Sequence, residues 1–324
     1  MTNPRIFFHF QLIYSTLGEL SLTEVCQRAE SLGYDGISIT DSPLNNAGFD
    51  PMIALAQAAA VTKNMFLSTG VLLLPLTNVF RLAREVATLD VLSGGRVILG
   101  LGMGGEKPEQ YQAFGIPLSE RGKRTNEYIE ILKGLWTQPS FSYHGRYYSF
   151  DNLEMDPKPV QKPHPPIWVG GRMGGVEIGP DGMRKFKSKT AAIKRAAFYG
   201  DGWLPNYMTP EMYSSSIDQI RDYAKEYGRD SSSMTMAHLF MFLLRDDHES
   251  ALKEVGNKAF YGEVRGPEFS NRYDLVGAPG DFIKRIQEFV DLGVTHFILH
   301  PICGPSELAY QIDTVAKEVL PAFR

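Results

Sequence analysis

The residues best suited to chemistry sit in or just after segments that read as strands. His9 and Gln11 alternate within Ile6–Ile13, so a period of two puts both on one face together with Phe7. Polar side chains inside an apolar strand need partners. That face is therefore either a ligand-facing interior or the seat of a satisfied core histidine. His300 ends the apolar run Thr295–His300, while Asn206 and Arg245 follow the runs Gly202–Pro205 and Thr235–Leu244. All three are candidates for a mouth built from strand ends. After Val97-Ile98-Leu99, the glycines Gly100, Gly102, Gly104 and Gly105 leave the backbone bare. Bare backbone lets a flat or phosphorylated ligand approach closely. No HxxxH or HExxH spacing or clustered Asp/Glu pattern supports a metal site, so none is expected.

A scaffold must bring these strand ends together, and the order of segments says which. Strands are expected at Ile6–Ile13, Ile37–Thr40, Met65–Val71, Val97–Leu99, Pro165–Gly170, Gly202–Pro205, Thr235–Leu244 and Thr295–His300. Helices are expected between them at Leu20–Leu32, Pro51–Val61, the stretch Leu82–Leu92, Glu120–Leu135, Lys189–Tyr199, Pro210–Tyr227, His248–Phe260 and Asp281–Leu292, with Ser306–Leu320 closing the chain. Asp50 is the expected N-cap of the alanine-rich helix, with Pro51 at its first position. Gly94-Gly95 stops the helix before Val97. Val97-Ile98-Leu99 is an unalternating apolar run, as in a strand covered on both faces. Eight strands alternating with helices indicate a parallel sheet. A closed (β/α)8 barrel, a TIM barrel with insertions, fits the count better than an open doubly wound sheet. In that fold the chemistry sits at the C-terminal ends of the strands. One domain over residues 1–324 is expected, interrupted by irregular stretches at 137–164, 172–187 and 261–278. Within the first of these, FSYHGRYYSF reads as a hairpin turning at His144-Gly145.

Composition narrows the function. The chain has 324 residues and a formal charge of −4, which argues against a nucleic-acid-binding face. Cys26 and Cys303 stand far apart and read as ordinary thiols of a reducing compartment. The start MTNPRIFFHF lacks a signal-peptide pattern, and no run approaches the ~18 apolar residues of a membrane span. A cytoplasmic protein without membrane or nucleic-acid partners is the expectation.

Several passages carry a resemblance: LGYDGISITDS, STGVLLLPL, AREVATLDVLSGGRVILGLGMGG, ERGKRTNEYIEILKGLW, and PPIWVGG with AAFYGDGWLPN. In this order they resemble the bacterial-luciferase-like superfamily of flavin and deazaflavin oxidoreductases, and most closely its coenzyme F-420-dependent branch. The resemblance implies an enzyme with a flat cofactor across the barrel mouth, a small-molecule substrate and a homodimer. It implies a non-prolyl cis peptide at Gly70-Val71, after Thr69, as a bulge behind the cofactor ring. It places the cofactor phosphate near Gly170, Gly171 and Ser188, at a helix start whose dipole favours an anion. About sixteen residues separate the glycine pair from Ser188, an insert of loop length. Within and beside that insert, Arg172, Arg184, Lys185, Lys187 and Lys189 either extend the anion site or solvate a lid.

Asp41 is implied to lie near the ring as a hydrogen-bonding group or a general acid/base. Ser42 stands where relatives often carry a histidine, so that residue's proton-transfer role does not transfer. Glu106 is implied to face the substrate, where a carboxylate of raised pKa can shuttle a proton; the alternative is a solvated loop acid. Met103 is implied to pack at the ring edge beside Gly104. The ERGxR element, Glu120-Arg121 with Arg124, reads as a structural ion-pair network. With F-420 the reaction is hydride transfer; with FMN supplied reduced, the same barrel supports monooxygenation by molecular oxygen. A non-catalytic flavin-binding homologue is the alternative of another class.

Overall fold

Eight parallel strands close into a ring. They are β1 (Phe7–Leu12), β2 (Gly36–Ile39), β3 (Phe66–Thr69), β4 (Val97–Gly102), β5 (Ile167–Gly170), β6 (Gly202–Leu204), β7 (Thr235–Leu244) and β8 (His296–Pro301). Each pairs in parallel with the next in sequence, and β8 returns to β1 through Phe7↔His296 and His9↔Ile298. The computed structural model describes residues 4–44, 48–104, 107–171, 176–178, 184–186, 190–255, 259–260, 263–264 and 266–324, with side chains omitted throughout 172–189 and 256–265. The expected (β/α)8 barrel is the observed architecture.

Alternation along each strand explains the closure. Phe8, Phe10 and Leu12 of β1, Ile37 and Ile39 of β2, and Leu67 of β3 join the core between sheet and helices. The intervening residues face inward, and Ile98, Trp168, Leu204, Leu239, Met241 and Ile298 form a second cluster inside the ring. β4 shows both faces at once, with Val97, Leu99 and Leu101 outward and Ile98 inward. That is why its apolar residues run without alternation. Burying a side chain of this size stabilises by roughly 1.5–3 kcal/mol.

Helix boundaries follow local chemistry. Asp50 caps Pro51–Val61 through Met52 and Ile53 N–H groups, as expected. Ser21 and Glu24 form a reciprocal capping box at the start of Leu22–Ser31. Gly94, at φ 69°, ends Val79–Ser93 in the left-handed conformation that favours glycine.

Two expectations are corrected. The helix from His248 ends at Val255, and Ala259–Phe260 pairs with Glu263–Val264 as a short antiparallel ribbon. The stretch after it is not irregular: Gly266–Tyr273 is helical, and Leu275–Gly277 is a strand paired with Phe242–Leu244 at the far end of β7. The chain end is helical without a break from Pro305 to Phe323, as expected, but only Leu308–Thr314 is α-helical, with 3-10 turns at both ends and a π turn at Val315–Val319. The expected hairpin is present as Phe141–His144 against Ser149–Leu153. The backbone of the 172–187 stretch contains a second ribbon, Val176–Ile178 against Arg184–Phe186.

Candidate active site

Beyond Thr69 the chain turns through a cis peptide between Gly70 and Val71. Four hydrogen bonds hold the bulge on both sides. Gly70 N–H donates to Ile39 O at 2.9 Å, and Asp41 N–H donates to Val71 O at 3.2 Å. The Gln11 amide donates to Gly70 O from inside the barrel. Leu73 N–H donates to the Asp41 carboxylate at 2.9 Å, tying the strand β2 exit to the far side of the bulge.

Glycines make room for this turn. A Cβ on Gly102 would lie 2.3 Å from a Val71 methyl, and one on Gly170 would lie 3.0 Å from the other. Val71 is therefore seated between the ends of β4 and β5. The bareness of Gly102 and Gly170 makes room for the bulge. Gly171 (φ 111°) holds the end of β5 in a glycine-favouring conformation, and its carbonyl accepts from Trp203 Nε1 at 2.7 Å. Gly104 packs beside Leu73.

Asp41 is the rim residue with an unusual acidity. Burial raises its carboxyl pKa to about 6; the Leu73 N–H opposes the shift and Asp50 adds to it. Its carboxyl therefore changes charge close to neutrality.

Other expected site residues are placed differently. His9 lies opposite Gly36 at the start of β2, deep in the ring, among Phe66, Trp168 and His296. It is fully buried, and desolvation, then His296, holds its pKa well below the usual value. It is a core histidine and not a mouth residue. Gln11 and His300 are also buried, at 1% exposure each, beneath the bulge rather than open to the mouth. Thr69 donates its hydroxyl to Gly100 O at 2.7 Å, inside the sheet. Met103 O accepts from Tyr111 OH. Asn206 sits just past β6, bridged to Leu239, and is half-buried. Arg245 is bound into ion pairs with Glu254 at 2.6 Å and Glu307 at 2.8 Å. Glu106, Arg172, Ser188, Lys187 and Lys189 lie outside the described residues, as do the side chains of Arg184 and Lys185.

The ERGxR element is a network, with a different membership. Glu120 pairs with Arg124 at 3.0 Å and with Arg146 at 3.4 Å, while Arg121 donates instead to Leu118 O. Glu127 was not anticipated: its carboxylate accepts from the backbone N–H groups of Arg146, Tyr147 and Tyr148 and fixes the hairpin turn. Trp136 is buried between helices, donating to Ala83 O at 2.9 Å.

Arg195 was also missed. It lies on the helix Ala191–Tyr199 that follows β5, donates to Asn126 Oδ1 at 2.6 Å and Gly122 O at 3.1 Å, and keeps Nη1 buried without an acceptor among the described residues. Arg121 Nε is likewise buried and unmatched among the described residues. Burial, with Arg121 nearby, lowers the Arg195 pKa to about 10. The basic pair Lys194-Arg195 within an alanine-rich helix was the available signal. Among the described residues no group of three His, Cys, Asp or Glu side chains is placed to hold a metal, and no helix is long and apolar enough to cross a membrane.

The third strand of this closed barrel thus ends in a bulge seated in the space left by glycines. The chain belongs to the luciferase-like monooxygenase family, whose family model matches residues 16–178 and 187–274. It is 27% identical over 275 residues to an FMNH(2)-dependent dimethylsulfone monooxygenase of Pseudomonas putida, covering 75% of this chain and 70% of that protein. It is 26% identical over 328 residues to an F420-dependent glucose-6-phosphate dehydrogenase of Intrasporangium calvum, covering 95% and 96%. Among solved structures, an F420-dependent secondary alcohol dehydrogenase in complex with an F420-acetone adduct superposes with a TM-score of 0.80 at 22% identity, over 99% of both chains. The family thus contains both F420-dependent and FMNH2-dependent members.

Proposed function

We propose that this protein is an oxidoreductase that transfers a hydride between coenzyme F-420 and a small organic substrate. The observation that carries the reading is the Gly70–Val71 cis bulge with the Asp41 carboxyl fastened beside it. The end-to-end likeness to an F420-dependent dehydrogenase supports the choice of cofactor. When bound, such a cofactor supplies the hydride chemistry itself.

The residues present fit such a group in two ways. Val71, filling the space that Gly102 and Gly170 leave, offers an apolar surface for a flat ring. The unmatched donors Arg195 Nη1 and Arg121 Nε supply positive charge near the helix Ala191–Tyr199, where Gly170, Gly171 and the helix start would hold a phosphate. Arg172 and Ser188 belong to the same proposed cradle. Asp41, oriented by Leu73 N–H, holds or releases a proton at its carboxyl near neutral pH, and Glu106 is the second candidate for that work. Met103 and Gly104 border the ring, and Asn206 faces the substrate side. We further propose a homodimer.

Titration of the purified chain with F-420 and with FMN tests the reading. Saturable F-420 binding, with no oxygen uptake by the reduced complex, is the expected result. The likeness to an FMNH(2)-dependent monooxygenase favours a second reading, which preferential FMN binding and oxygen consumption would establish instead. Binding of neither cofactor would point to a non-catalytic homologue.

A further inference from the structure

The carbonyl of Gly70 points into the barrel, where Gln11 Nε2 donates to it. At the other end of the same amide, Gln11 Oε1 lies 2.8 Å from His300 Nδ1. An amide oxygen only accepts, so the shared proton sits on Nδ1 of His300. The neutral Nδ1–H tautomer and the imidazolium both donate there. The Gly70 carbonyl and the His300 Nδ1–H together fix which way the Gln11 amide faces, its NH2 group on Gly70 and its oxygen on the imidazole.

The chain of contacts runs from β8 through β1 to the end of β3, and both side chains in it are buried. Space beneath the bulge is fully committed. A Cβ on Gly70 would lie 2.6 Å from Gln11 Nε2 and 2.4 Å from Ser38 Oγ. Burying an amide and an imidazole costs free energy that an apolar pair of similar volume would avoid. Barrel packing alone therefore gives no reason for this pair, whereas control of one carbonyl does.

We infer that Gln11 and His300 are positioning residues that set the pitch of the Gly70–Val71 platform from the side opposite the ligand. They act through the Gly70 carbonyl. The inference rests on the cofactor reading above, and its test separates the two.

The full-length protein is compared with Gln11→Leu, His300→Ala and His300→Asn, the last because an asparagine amide reaches close to the position of Nδ1 and donates from it. Each is titrated with F-420 and with FMN, and thermal melting reports folding. For the cofactor that the wild type binds, Q11L and H300A are expected to bind about tenfold more weakly, the scale of one lost buried hydrogen bond. H300N is expected to stay within about twofold of wild type. A readout without cofactor is the slowly exchanging imidazole N–H of His300 in nitrogen-15 spectra, present in the wild type and lost in Q11L. If Q11L does not fold, the H300A and H300N pair still decides. Wild-type affinity in folded Q11L, H300N as weak as H300A, or an imidazole N–H unchanged by Q11L overturns the inference while leaving the cofactor reading intact. A wild type that binds neither cofactor overturns both.

Discussion

Asp41 joins the exit of β2 to the Gly70–Val71 turn by its backbone and by its carboxyl. Its type and its place after a strand were legible in the sequence. Its acidity was not, because desolvation depends on what the fold packs around it. A carboxyl whose pKa is raised to about 6 is protonated below that pH and ionised above it. Carbon-13 spectra of labelled protein should show the Asp41 carboxyl titrating near pH 6, and a midpoint in the ordinary aspartate range near 4 would contradict the placement. In Asp41→Asn that transition should vanish, together with any inflection near pH 6 in a rate profile. His9, Gln11 and His300 were legible as polar residues of one interior. Period two gave their face but no depth, and depth put His9 in the core and the other two under the bulge.

The platform is a property of three strand ends together. STGV identifies it only by resemblance; Gly102 and Gly170 explain why it fits. Gly102→Ala should drive its methyl into Val71 and destabilise by about 1–3 kcal/mol, as overpacking does. Val71→Ala should relieve the clash, so the double variant should melt closer to V71A than the sum of single effects requires. Additive losses in urea unfolding would show that Val71 and Gly102 are not in contact. Element boundaries were readable wherever a cap was local, as at Asp50-Pro51 and Gly94. They failed after β7. There the short strand Leu275–Gly277 exists because Phe242–Leu244 at the end of β7 offers it an edge, a partner 33 residues away in sequence.

At the scale of the molecule, three of the histidines whose pKa desolvation lowers tie stability to pH. Desolvation lowers the pKa of His238 to about 3 and of His296 to about 4, and holds that of His9 well below normal. Their unfolded value is near 6.5. Above that pH both states are neutral and these groups contribute no slope. Below it the unfolded chain binds protons that the folded one refuses, so stability falls as pH falls, by about 1.4 kcal/mol per pH unit for each histidine. Asp41 acts oppositely between about pH 6 and 4, since the folded state holds its proton, and offsets one of the three. Urea unfolding at about pH 7.5 and about pH 5 should therefore show lower stability in acid. His238 packs against Phe240 and Phe289, with centroids 4.2 and 4.6 Å away, and both its ring nitrogens lack partners. His238→Phe should flatten the acid slope by one histidine's share; an unchanged slope would show that this ring is not buried neutral.

The order of apolar runs, caps and glycines determined a closed barrel, its eight strands and a mouth at their ends, because periodicity and capping act over a few residues and are written locally. Tertiary structure alone decided which polar groups face that mouth and which lie beneath it. Register between strands far apart in sequence sets the height of each side chain in the ring, and burial then sets its charge.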